Sequence, residues 1–105
     1  MFVVLYRWRI HEGREDDFVD AWSRKSEIYL KELGSLGSRL HRGSDGLWYS
    51  YAQWPSEHAR KEAFAKGGAD VDADARMERA IAERFPPVIL EARADFLQIH
   101  PWKTA

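Results

Sequence analysis

His41, Arg39, Trp48 and Trp54 are the residues whose types and spacing could support chemistry, and Gly37, Ser50 and Ala52 leave room beside them. A histidine in a partly apolar cleft can act as a general base near neutral pH. A neighbouring arginine can hold the anionic oxygen of a phenolate, enolate or carboxylate. Two tryptophans among small residues can hold a flat organic ligand. The same residues also suit a plain packing surface, with the histidine a hydrogen-bonded spectator and the arginine in a surface ion pair. Ser26 stands apart, interrupting an apolar helical stripe between Trp22 and Tyr29. Its hydroxyl either bonds back to the Trp22 carbonyl or points into a cavity between helix and sheet.

Other chemistries lack their residues. His11, His41, His58 and His100 are scattered and none lies in close ligand spacing with another, so no metal site is expected. Gly67-Gly68 sits inside a helical region and reads as a hinge, not as a phosphate-cradling loop after a strand. No Gly-x-Ser-x-Gly elbow occurs, so neither a nucleotide cofactor nor a Ser-His-Asp triad has support. Asp16-Asp17 and the run Asp70, Asp72, Asp74 fall near helix N-termini, where capping and the macrodipole account for them.

The elements that must position these groups follow from periodicity. Phe2 to Ile10 reads as a strand with Phe2, Val4, Tyr6, Trp8 and Ile10 on one face and Val3, Leu5, Arg7 and Arg9 on the other. A helix is predicted from about Arg14 to Leu33, with Glu15, Asp16 and Asp17 in its first turn and Gly34 as its stop. Its apolar stripe is Phe18, Trp22, Tyr29 and Leu33, flanked by Ala21 and Ile28. Ser35 to Arg42 and Leu47 to Trp54 form a hairpin about Gly43-Ser44-Asp45-Gly46. An even-numbered turn places Leu36, Ser38, Leu40, Tyr49 and Tyr51 on one face, and Arg39, His41, Trp48 and Trp54 on the other; an odd count reassigns the faces. Ser56 caps a helical piece from Glu57 to about Ala65, and a second piece runs from about Val71 to Phe85, where Pro86-Pro87 stops it. Val88 to His100 is predicted as the last strand, followed by a loose tail from Pro101.

This order, βαββαβ, is that of an α+β ferredoxin-like domain: one antiparallel sheet with its helices on one face. The second face would expose a large apolar patch, so a C2 homodimer is expected to cover it. A length of 105 residues makes a single domain spanning 1–105. The net charge of -1 arises from interleaved acids and bases, which leaves no basic stripe for nucleic acid. The absence of cysteine suits a cytoplasmic protein, and the short apolar start, Met1 to Tyr6, lacks the basic leader of a signal peptide. No run approaches the roughly 20 apolar residues of a membrane span. Five Trp, four Tyr and five Phe are a high aromatic load, available to core, subunit interface or pocket.

The chain resembles the antibiotic biosynthesis monooxygenase family of the dimeric α+β barrel superfamily. The carrying residues are Tyr6-Arg7-Trp8-Arg9, Gly13, Phe18, Trp22, Gly37 to Arg42, Asp45-Gly46 and Tyr51 to Pro55. The resemblance implies a dimer whose two sheets form a barrel, with a pocket between each sheet and its helices. It also implies an oxygenase that acts without metal or flavin on an electron-rich phenol, which once deprotonated can reduce O2 directly. Characterised relatives line the pocket with Asn together with Trp and His or Tyr; this chain contains no asparagine. Haem-degrading relatives carry a late histidine in the second helical region, and residues 71–85 hold none. The expected function is therefore a cofactor-independent monooxygenase of a small aromatic or quinone-like compound. Trp8, Trp22 and Trp54 are its expected pocket walls, Ser26 and Arg39 its polar anchors, and His41 its candidate catalytic base. The alternative on the same scaffold is a non-catalytic ligand-binding or stress-related homodimer.

Overall fold

Strand β1, Phe2–Ile10, lies at the centre of the sheet in the computed structural model, which describes residues 1–66 and 70–98. Val3 and Val4 point to opposite faces, yet both are buried, as a central strand requires. β3, Trp48–Trp54, pairs antiparallel along one edge of β1 from Phe2 opposite Trp54 to Trp8 opposite Trp48. β2, Gly37–Arg42, pairs outside β3.

The other edge of β1 is filled by two short strands, β4 (Ile81–Arg84) against Trp8–Ile10 and β5 (Val88–Leu90) against Val3–Leu5. Between them the Phe85 N–H still donates to the Arg7 carbonyl at 3.2 Å. Pro86 and Pro87 have no N–H to give, and there the ladder breaks. The two pieces together occupy the place of the last strand, so the spatial order β2-β3-β1-β4 is the ferredoxin-like βαββαβ arrangement.

Three sequence-based expectations are corrected. The helix predicted to Phe85 ends at Ala80, because Ile81 and Phe85 fit a period of two as well as a helical one, and the open edge of β1 captures the segment. The strand predicted from Val88 ends at Leu90 rather than His100; residues 91–98 belong to no strand, and Ile99 to Ala105 lie outside the described residues. The hairpin loop holds five residues, Gly43 to Leu47, an odd number. Gly43 N–H bonds the Leu47 carbonyl at 2.7 Å, and Gly46 takes φ +84°, which favours glycine. The odd count puts Ser38, Leu40, Trp48, Ser50, Ala52 and Trp54 on one face, and Arg39, His41, Tyr49 and Tyr51 on the other.

The helices stand on the first of these faces. α1, Glu15–Glu32, follows Gly13, whose N–H donates to Glu15 Oε1 at 2.8 Å. α2, Glu57–Ala65, starts with Ser56 Oγ accepting the Ala59 N–H, and α3, Val71–Ala80, with Asp70 Oδ1 accepting the Ala73 N–H. Fully buried Phe18 of α1 meets Trp8 edge-on at 5.1 Å and Trp48 at 5.8 Å. Each such side chain gains about 1.5–3 kcal/mol from burial. Ala21, Ala73 and Ala80 are buried in the same cluster, where their small size lets α1 and α3 approach the sheet and each other. This core anchors one end of the sheet's helical face.

Candidate functional site

Towards the other end of that face, sheet and helices separate around a cavity of about 440 Å³. The volume falls in the range of small-molecule sites. Its floor follows from the hairpin register: Ser38, Ser50 and Ala52 are small and lie between the larger Tyr6, Trp8 and Trp54. Trp22, Ser26 and Tyr29 come from α1 at spacings of four and three, which stack them on one side of the helix. Phe64 of α2 and Met77 of α3 complete the apolar wall.

Aromatic rings give this site its character. Tyr29, Trp54 and Phe64 form a closed triad, with centroids 5.9 Å apart for Tyr29–Trp54, 6.0 Å for Trp54–Phe64 and 5.5 Å for Tyr29–Phe64. Tyr6 and Trp8 stack at 5.9 Å. Edge and face contacts of this kind hold the rings in place and leave flat surfaces for a flat guest.

A few polar groups are set into the aromatic wall. Trp54 is 3% exposed, and its indole Nε1 is buried with no hydrogen-bond partner. A buried unpaired N–H carries a desolvation cost, which the packing of the ring offsets. The Tyr6 hydroxyl accepts two bonds from Arg60, at 3.0 Å from Nε and 2.8 Å from Nη2. Burial pushes the Tyr29 phenol above its ordinary value; the charge of Asp74 and then Tyr6 add to this, and Arg60 opposes it. Tyr29 therefore stays a neutral hydroxyl. Lys25 and Asp74 line the wall as an ion pair at 2.9 Å, with Lys25 Nζ also 3.8 Å from Met77 Sδ. The Ser26 hydroxyl has no hydrogen-bond partner among the described residues, the Trp22 carbonyl included, and Ser26 lines the cavity.

Of the residues singled out from sequence, Trp8, Trp22, Ser26 and Trp54 come together around this cavity. Arg39 and His41 do not. They are exposed on the opposite sheet face, where they pair across from Tyr51 and Tyr49. Sequence reasoning missed Tyr6, Tyr29 and the Lys25–Asp74 pair as polar groups lining the cavity, and Arg60 as the partner of Tyr6. Tyr6 shares the even face of β1 with Trp8, and Tyr29 shares the α1 stripe with Trp22, so a signal for both was present. Nothing in the local sequence couples Lys25 to Asp74 or Arg60 to Tyr6. Among the described residues no group of three or more His, Cys, Asp or Glu could hold a metal, and no helix is long and apolar enough to cross a membrane.

Solved structures share this architecture. SnoaB, a cofactor-independent oxygenase from Streptomyces nogalater, superposes with a TM-score of 0.74 at 15% identity, over 92% of this chain and 97% of its own. Rv0793 from Mycobacterium tuberculosis gives 0.73 at 12% identity, over 91% and 98%. A conserved protein from Methanosarcina mazei Go1 gives 0.73 at 11% identity, over 88% and 92%. Identities this low establish a common fold. No curated protein matches the sequence. The profile of the antibiotic biosynthesis monooxygenase family matches residues 1–68, and the chain belongs to that family.

Proposed function

We propose that the cavity binds a small aromatic or quinone-like compound and that the protein oxygenates it without a cofactor. The observation that carries this reading is the cavity of about 440 Å³ walled by Tyr6, Trp8, Trp22, Tyr29, Trp54 and Phe64. Such a wall suits a flat guest. Family membership and the description of SnoaB as a cofactor-independent oxygenase support the reaction type.

The chemistry is self-contained for a carbon acid such as an anthrone. Loss of a proton gives an electron-rich enolate that reduces O2; one oxygen atom becomes the new ketone and the other leaves as water. The two C–H bonds supply all four electrons. The protein then has to bind the ring system, accept a proton and stabilise an oxyanion. Trp8, Trp22 and Trp54 are assigned as walls, Ser26 as a polar anchor, and Asp74, the carboxylate lining the cavity, as the proton acceptor. His41 and Arg39 lie across the sheet from this cavity and are assigned instead to the second face. We also assign that face to a homodimer contact. Leu5, Tyr49 and Tyr51 are only half-buried there, and Val88 and Leu90 stay 39% and 36% exposed.

The test is oxygen uptake by the purified protein, with no added cofactor, on a panel of anthrones, naphthols and hydroquinones. Uptake above the autoxidation background supports the reading. Quenching of tryptophan fluorescence without oxygen uptake would make the protein a non-catalytic binder.

A further inference from the structure

Arg60 is set apart from the other cations around the cavity by its partners. Lys25 is paired with Asp74, and Arg84 with Glu78. Arg24 and Arg76, further out on α1 and α3, are paired with Asp70 and with Asp17 and Asp20. Among the described residues no carboxylate pairs with Arg60; its guanidinium lies 4.6 Å from the Phe64 centroid and 5.7 Å from that of Tyr6, and spends two N–H donors on one phenol oxygen. Those two bonds occupy the acceptor capacity of the Tyr6 hydroxyl. Its own O–H can then only donate, and it finds no acceptor among the described residues. Tyr6 lines the cavity, whereas Arg60 is not among its lining residues.

We infer that Tyr6 and Arg60 form an oxyanion subsite, in which Arg60 orients Tyr6 as a pure donor and the cavity selects compounds with an ionisable phenol or enol oxygen. The inference rests on the aromatic-cavity reading above and narrows its substrate class. Tyr6 is the residue that touches the ligand oxygen, and Arg60 acts through it as a positioning residue. The uncompensated charge of Arg60 attracts an anion across the phenol, and a charge-assisted donor is stronger than a neutral one. A ring compound without such an oxygen has nothing to offer this subsite.

The experiment uses 1-naphthol, whose naphtholate has its own absorption band, with naphthalene as the control lacking the hydroxyl. Binding is followed by tryptophan quenching, and ionisation of the bound probe by absorbance against pH. The wild-type protein is expected to bind naphtholate at least tenfold more tightly than naphthol, so that the bound probe ionises at least about one pH unit below the free one. Tyr6→Phe should abolish that preference, Arg60→Gln should reduce it, and Arg60→Lys should restore part of it, while naphthalene affinity stays within twofold in all three. Three results overturn the inference and leave the cavity reading standing: a bound probe that ionises as it does in water, a Tyr6→Phe protein that keeps the full preference, or equal loss of naphthalene and naphthol in Tyr6→Phe, which would make Tyr6 a packing residue. Failure of the wild type to bind either compound removes the aromatic-cavity reading, and the subsite with it.

Discussion

Lys25 Nζ of α1 stands 2.9 Å from Asp74 Oδ1 of α3, tying the two helices together at the cavity wall. Both side chains remain partly exposed, at 26% and 39%, so the pair adds little stability; exposed pairs contribute about 0.2–1 kcal/mol. Its importance is positional, because it holds a carboxylate beside the site. Asp74→Asn keeps the shape and removes the proposed proton acceptor. Oxygen uptake should fall by about a hundredfold or more, with only a small change in thermal midpoint. His41→Ala, on the far side of the sheet, should leave uptake within about twofold. The reverse pattern, with His41 essential and Asp74 dispensable, would show that the proton leaves by another route.

Trp54→Phe separates the indole N–H from the ring. Trp54 packs against Tyr29 and Phe64, and phenylalanine keeps most of that contact while removing a buried donor that has no partner. The loss of ring volume destabilises, and removal of the unpaired N–H offsets part of it, so the net change in urea unfolding should stay under about 2 kcal/mol. Affinity for a quinone and for its parent hydrocarbon should fall together, because the lost ring surface serves both. A loss confined to the quinone would mean that the N–H takes part in recognition.

The fold and the site were legible to different depths, for physical reasons visible in particular residues. α1 could be read nearly to its ends, because Glu15-Asp16-Asp17 and Gly34 mark its limits and Phe18, Ala21 and Ile28 mark its buried face. The order of elements followed from strong periodicities. The hairpin faces were not legible, since the choice between four and five loop residues moves every side chain to the opposite face. That one residue separated His41 and Arg39 from Trp48 and Trp54. Ile81 to Phe85 reads as helix in the sequence because a short apolar run obeys both periods, and only the empty edge of β1 decides between them. The Arg60–Tyr6 pair spans 54 positions and has no local signature.

Asp70 makes α3 sensitive to acid. Its carboxylate is held below the ordinary range, first by the Ala73 N–H at the helix start and next by its bond to Arg24. The folded value therefore lies below the unfolded one. The stabilisation is fully present above the unfolded carboxylate value and is lost as pH falls through the depressed folded value. Asp70→Asn retains a capping oxygen but cannot titrate, so its thermal midpoint should lie below wild type at neutral pH and converge with it in acid. Parallel curves for the two proteins, with a constant offset at every pH, would mean that Asp70 contributes nothing to the acid sensitivity.

The second sheet face yields the last prediction. Leu5 and Tyr51 are direct partners across β1 and β3, and both are only half-buried. Because a pleated sheet with helices on one face leaves its other face to water, apolar groups there gain by covering one another in a second copy. The protein should therefore sediment as a dimer at micromolar concentration. Tyr51→Glu would bring like charges together across the two-fold axis in the dimer but leave them solvated in the monomer. It should give a folded monomer by light scattering, with an unchanged far-ultraviolet circular dichroism spectrum. A wild-type protein that stays monomeric over the whole concentration range would show instead that this face is finished within one chain. Residues 91–97, which line a hollow with Val3, Tyr51 and Leu90, would then be the segment that finishes it.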